Sequence, residues 1–204
     1  SDVCSSDLYV QTPNLDRLAA RGTRFRNAFV TTSICCTSRA SLLSGQYARR
    51  HRIEDFATPF GAAAWADTYP SRLRSAGYRT GFLGKFGVGD AAATAAMAAE
   101  FDYWRGLPGQ GGTLFIDPKD PNRRHATARF GDQALEFLDG CRSNQPWCLS
   151  ISFNAPHARD GQRREFEPDP RDESVHANQV LPLPALASEV AHERLPPILR
   201  QTNS

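Results

Sequence analysis

Residues 126–157, ATARFGDQALEFLDGCRSNQPWCLSISFNAPH, read as a helix followed by a strand. Ala126 to Leu138 has helical spacing through Phe130, Ala134, Leu135 and Leu138. Trp147 to Phe153 is the clearest buried strand, and it ends at Asn154-Ala155-Pro156-His157, where proline stops regular pairing. The same alternation recurs upstream. Thr12 as N-cap, Pro13 at the first helical position, Leu15, Leu18 and Ala19 on one face and Gly22 past the end predict a helix over 12–22. Thr23 to Val30 predicts a strand, with Phe25 flanked by Arg24 and Arg26. Ser38 to Arg50 predicts a second helix whose apolar face is Ala40, Leu42, Leu43 and Tyr47. Thr68 and Pro70 open a third helix closed by Gly77, and Thr80 to Leu83 is a short apolar run between glycines. Helices alternating with short apolar strands indicate an α/β layered domain, and no internal repeat is present.

At 204 residues the chain is one domain or a piece of a larger one. Apolar residues at 40% and charged residues at 23% are ordinary for a globular protein and exclude a disordered or collagen-like chain. The longest apolar stretch, Ala91 to Ala99, is broken by Thr94 and is far short of the roughly 18 residues of a membrane helix, so no membrane span is predicted. Net charge is +2, and Lys85 and Lys119 are the only lysines among 24 basic residues. The arginine excess reads as GC-rich codon usage. Asp and Glu are interspersed and no basic stripe forms, so no nucleic-acid partner is expected. Cys4, Cys35, Cys36, Cys141 and Cys148 lack a paired C-x-x-C, which argues against a zinc ribbon or a disulfide-framed miniprotein.

Ser1 to Leu8, SDVCSSDL, looks like a translated sequencing adapter and is set aside from fold reasoning together with Cys4. The domain proper then covers 9–204. Its last part, 159–204, carries Pro168, Pro170, Pro182, Pro184, Pro196 and Pro197 in a polar background and is expected to be irregular. Both ends read as fragment ends.

The stretch with most chemistry is Ser33 to Gly45, SICCTSRASLLSG. Cys35 would stand just before a helix N-terminus with Arg39 four residues on, so a nucleophile, a guanidinium and the first helical N–H groups could converge on one anion. Attack on a sulfate or phosphate ester needs that convergence, because the anion must be held and its charge stabilised. On spacing alone, a buried cysteine pair beside a surface arginine is the competing reading.

Further motifs decide between the two. Cys35-x-Thr37-Ser38-Arg39-x-x-x-Leu43-Ser44-Gly45 resembles the sulfatase signature C-x-P-S-R-x-x-x-L-T-G, with Thr37 for proline and Ser44 for threonine. Gly77-Tyr78-x-Thr80-x-x-x-Gly84-Lys85 resembles the second sulfatase signature, G-Y-x-T-x-x-x-G-K. Thr12-Pro13-Asn14-Leu15-Asp16-Arg17-Leu18, Phe101-Asp102-Tyr103-Trp104 and Ala155-Pro156-His157 are also similar to sulfatase segments, in the right order, from Tyr9 to about Arg200.

The resemblance to type I sulfatases implies an incomplete alkaline-phosphatase-like α/β sandwich, with a central, mostly parallel sheet flanked by helices, and hydrolysis of an organic sulfate such as a sulfated glycan. It implies that Cys35 is converted to formylglycine by a formylglycine-generating enzyme. One hydroxyl of the hydrated aldehyde attacks sulfur; the other expels sulfate as the aldehyde re-forms, whereas a plain serine ester of sulfate would hydrolyse slowly. By the same resemblance Arg39 steadies the nucleophile, Lys85 binds sulfate oxygens and His157 contacts the sulfate or protonates the leaving group. Cys36, off the matching position, reads as packing. Periplasmic or secreted localisation is implied by resemblance alone.

Two departures qualify the match. Where many sulfatases read G-K-W-H, this chain has Gly84-Lys85-Phe86-Gly87, so a second histidine is absent; His51 and His125 read as surface residues rather than substitutes. The divalent cation of the family, usually calcium, is held by an aspartate pair, an Asp-Asn pair and the formylglycine; of these only position 35 is present, so the chain as it stands is expected to be inactive and to fold marginally. A phosphonate or phosphate monoester hydrolase of the same superfamily and a degenerate binding relative are the alternatives.

Overall fold

In the computed structural model, which describes residues 10–111, 124–159, 161, 165–180 and 188–200, three strands form one parallel sheet with helices on both faces. The elements in chain order begin with α1 (Pro13–Arg21), α2 (Cys35–Ser44), α3 (Ala48–His51), α4 (Ala62–Ala66), α5 (Tyr69–Ser75) and β1 (Arg79–Lys85). There follow α6 (Ala91–Ala96), β2 (Tyr103–Leu107), α7 (Ala126–Asp139), β3 (Trp147–Ser152), α8 (Glu189–Glu193) and α9 (Pro197–Arg200). The reading of Ser1 to Leu8 lies outside the described residues, as do parts of 159–204.

The chain divides into two compact units. One holds α1, α8 and α9. There Pro13 opens α1 as expected, and the Thr12 hydroxyl donates to Asp16 Oδ1 at 3.2 Å instead of capping a backbone N–H. Within the proline-rich segment, the Ser188 side chain caps α8 by accepting from Ala191 N–H at 3.2 Å.

The other unit, Phe29–Glu173, contains the sheet in the order β2-β1-β3. Phe82 lies opposite Trp104 of β2 and Ser150 of β3. Side chains alternate across a strand, so Phe82 and Leu83 face opposite layers. Phe82 joins Phe86, Val88, Phe101, Trp65, Ile53, Leu43 and Ala40, a cluster in which Phe82 and Trp104 stack with ring centroids 5.3 Å apart. Leu83 packs on Ala126 and Phe130 of α7. On that same face Gly81 has no side chain because Phe137 occupies the space: a Cβ there would lie 2.8 Å from the Phe137 ring. The result is a helix–sheet–helix sandwich, the α/β architecture expected.

Four expectations are corrected. β3 is not the buried strand: it lies at an edge of the described sheet with Trp147 and Ile151 exposed, whereas β1, which carries Arg79, Thr80, Lys85 and two glycines, is central and buried. Neighbours on both sides bury a strand, whatever its own hydropathy. Thr23 to Val30 forms no strand, because no described strand pairs with it, and Phe25, Phe29 and Val30 are exposed. The helix expected over 38–50 starts at Cys35 and is cut by Gly45, whose left-handed φ of 66° and N–H bond to Ser41 O end it. Its buried face is Cys36, Thr37, Ala40 and Leu43, recurring at spacings of three and four, while Leu42 and Tyr47 are exposed. In α7 the buried residues are Ala126, Phe130, Gln133 and Phe137, with Leu135 exposed.

Two motif residues prove structural. The Asp102 carboxylate accepts from Thr80 N–H at 2.8 Å and from the Thr80 hydroxyl at 3.2 Å, and it pairs with Arg74 at 3.4 Å. This ties the start of β2 to the start of β1.

Candidate active site

The chain leaves β1 toward β2 and returns through α7 to β3 on the other side, so the carboxyl ends of all three strands open at one end of the sheet, where open α/β sheets bind ligands. Lys85 ends β1, the Pro108–Gly111 turn follows β2, and Asn154 to His157 follow β3.

Cys35 is the first residue of α2, not the one before it, with Ile34 as N-cap. It lines a cavity of about 570 Å³ with Val30, Thr32, Ser33, Ile34, Ser38, Phe56 and His157. The structure thus brings Cys35 and His157, 122 positions apart by their numbers, to one concavity. His157 is exposed, and its Nδ1 meets Ala158 O at 2.7 Å. With Nδ1–H donated to that carbonyl, Nε2 is the nitrogen left for exchange with a substrate.

Arg39, one turn beyond Cys35, reaches the strand ends. Its Nη1 donates to Lys85 O at 2.6 Å and to Ser152 Oγ, locking α2 onto the ends of β1 and β3. Burial pulls the Arg39 guanidinium down from its ordinary value, while the nearby Cys35 charge acts the other way. Arg39 lines a second cavity of about 340 Å³ beside β3, not the one that holds Cys35 and His157. Lys85 is only 6% exposed. Among the described residues no carboxylate forms an ion pair with Lys85 or with Arg39. A buried lysine beside a half-buried arginine, neither paired with a described carboxylate, makes a place where an anion is stabilised.

Gly87, which stands where the second histidine was missed, touches both cations. Its φ is 66°, and a Cβ there would lie 3.0 Å from Arg39 Cδ and 3.1 Å from Lys85 Cε. The two histidines set aside as surface residues are not on the surface, although neither lines the cavity. His125 is buried and caps α7, its Nδ1 accepting from Thr127 N–H at 3.2 Å. His51 is half-buried, joining Ser41 Oγ at 2.9 Å to Ile53 N–H at 3.0 Å. Cys36 is fully buried, as expected of a packing residue, and Thr37 is 1% exposed and lines no part of the cavity. Sequence reading missed Gln110, whose Oε1 lies 3.9 Å from Cys35 Sγ; only its place between two glycines could have signalled it.

The sulfatase family model matches residues 3–181. The chain belongs to the sulfatase family. Among its relatives, an N-acetylglucosamine-6-O-sulfatase of Bacteroides thetaiotaomicron is 30% identical over 192 residues, covering 89% of this chain and 32% of the relative. A choline-sulfatase of Rhizobium meliloti is 28% identical over 187 residues, covering 78% of this chain and 36% of the relative. This sulfatase chain therefore spans about a third of the length of the curated relatives it matches. The solved structure of BT4656 with its substrate D-glucosamine-2-N,6-O-disulfate superposes with a TM-score of 0.66 at 26% identity, over 88% of this chain and 35% of that one. A phosphonate monoester hydrolase of Agrobacterium radiobacter shares the fold, with a TM-score of 0.56 at 20% identity over 74% of this chain and 37% of that one.

Among the described residues no three His, Cys, Asp or Glu side chains gather where they could hold a metal ion. Of the ligands that the resemblance gives to the divalent cation, position 35 is the one found among the described residues.

Proposed function

We propose that this chain carries the nucleophile and the anion-holding cations of a sulfuric ester hydrolase. The reading rests on one observation: Cys35 opens a helix into a cavity shared with His157, and neither the half-buried Arg39 one turn further along that helix nor the buried Lys85 whose carbonyl it bonds meets a carboxylate among the described residues. Cys35 is the precursor of formylglycine, whose hydrate would supply one hydroxyl to bond to sulfur and a second to expel sulfate. Lys85 and Arg39 set the positive potential at the strand ends, and the first N–H groups of α2 point the same way. As the S–O bond to the alcohol breaks, the leaving oxygen takes a proton from His157 Nε2, with Nδ1 held by the Ala158 carbonyl in either charge state.

The substrate class proposed is a sulfated glycan bearing glucosamine sulfate. It is supported by the B. thetaiotaomicron relative's name and by the disulfated glucosamine in BT4656. Export is proposed on the names of relatives in Caenorhabditis elegans and Drosophila melanogaster, a putative extracellular and an extracellular sulfatase homologue. Among the described residues no helix is long and apolar enough to cross a membrane. A formylglycine-generating enzyme is the proposed maturation partner.

The test is turnover of matched aryl sulfate and aryl phosphonate by the full-length gene product, co-expressed with a formylglycine-generating enzyme. Preference for the sulfate, with formylglycine at position 35 by peptide mass spectrometry, is the expected result. Preference for the phosphonate would move the chain to the other branch of the superfamily. A persistent thiol with no turnover would make it a binding relative.

A further inference from the structure

Gln110 sits in a turn held from both sides. Gly111 N–H donates to Pro108 O at 3.1 Å, and Gly109 and Gly111 have left-handed φ values of 54° and 72°. Gly109 N–H donates to the buried Thr94 hydroxyl at 2.8 Å, which in turn donates to Ala91 O at 3.0 Å, so the turn is pinned to α6. On the other flank a Cβ at Gly111 would lie 3.1 Å from Asn154 Oδ1 and 3.5 Å from Lys85 Cβ. The backbone at Gln110 is thereby pressed against the strand ends.

The side chain has one orientation. Its amide nitrogen lies 3.4 Å from each of the carbonyls of Phe56, Gly87 and Gly89. Three acceptors at one end require the NH₂ there, which turns the oxygen toward Cys35 Sγ.

We propose that Gln110 is a positioning residue for the nucleophile. Its oxygen accepts the hydrogen carried by the side chain at position 35: the thiol S–H when the chain is made and, on the formylglycine reading above, an O–H of the hydrate after conversion. By anchoring its amide on the loops that carry Phe56, Gly87 and Gly89, Gln110 selects the rotamer that faces the cavity. The carbonyl of Gly87 contributes to this anchor, at the position where a histidine was missed.

The experiment labels the unconverted protein, made without a formylglycine-generating enzyme, with iodoacetamide and follows each cysteine by peptide mass spectrometry. Gln110→Met keeps the volume without the acceptor; Gln110→Asn keeps the amide but is too short to reach both ends. Either should speed labelling of Cys35 by about threefold to tenfold, the range of one neutral hydrogen bond, and leave the buried Cys36 as slow as before. Unchanged labelling at Cys35, or equal acceleration at Cys36, would overturn the proposal, the latter because it reports a merely structural role. In the converted full-length gene product, kcat for an aryl sulfate should fall by the same about threefold to tenfold with KM within about twofold. Absence of turnover in the unsubstituted protein would count against the hydrolase reading alone, because the labelling result stands without it.

Discussion

Replacing Gly87 and Gly131 by alanine should change stability in opposite directions, because the two glycines serve different physical needs. Gly131 lies on the exposed side of α7, and a Cβ there meets nothing within 4 Å. Alanine in a helix interior is favoured over glycine by about 0.5–1 kcal/mol. Gly87 has a φ of 66°, and its Cβ would press on Arg39 Cδ at 3.0 Å and Arg39 Nε at 3.3 Å. A left-handed L-residue costs about 1–2 kcal/mol, before any displacement of the arginine. With a urea slope of about 2 kcal/mol/M, Gly131→Ala should raise the unfolding midpoint by about 0.25–0.5 M and Gly87→Ala should lower it by about 0.5–1 M. Urea unfolding followed by tryptophan fluorescence, with circular dichroism as a second probe, reads both. A Gly87→Ala midpoint equal to or above the parent would refute the reasoning, since it would mean that the backbone at 87 is not left-handed or that Arg39 does not occupy the space beside it.

Three further outcomes are expected. Asp102→Ala strands the buried Thr80 N–H and should destabilise the protein by about 1–3 kcal/mol in the same unfolding assay, with Asp102→Asn less harmful because an amide oxygen can still accept. The Arg171 side chain holds Asp169 down to about 2. A carboxylate lowered below its unfolded value stabilises above the unfolded value and loses that contribution as pH falls through the folded one, so the turn at Pro170–Asp172 should loosen between about pH 4 and pH 2, and an NMR titration of Asp169 should show the low midpoint. On the hydrolase reading, Lys85→Met removes one preorganised positive donor and should cut kcat/KM for an aryl sulfate by about 10²–10³ in the full-length gene product.

Which parts of this were legible in the sequence follows from the range of the forces involved. Helix ends were readable where local chemistry sets them: Pro13 opening α1 and Gly77 closing α5 act within one turn. Gly45 was overlooked for the same reason in reverse, since continuing apolar periodicity through Tyr47 concealed a residue whose own φ ends the helix. Cys35, Arg39, Lys85 and His157 were legible as motif residues, and Cys36 as packing. Gln110 was not, because its part depends on three carbonyls from positions 56, 87 and 89. His125 and His51 were misplaced on the surface because burial is a property of the packed layers rather than of a residue's neighbours in sequence.

By itself the sequence determined that helices alternate with short strands and that Cys35 and Arg39 are one helical turn apart. Those features depend on backbone propensity and spacing within a few residues. The tertiary structure alone decided that the polar-looking β1 is the buried centre of the sheet and that Arg39 bonds to the end of that strand. It also decided that His157 shares a cavity with Cys35 and that Gln110 meets its sulfur. Each of these is a meeting of segments far apart in the chain, made when the two faces of β1 are buried against the helices around it.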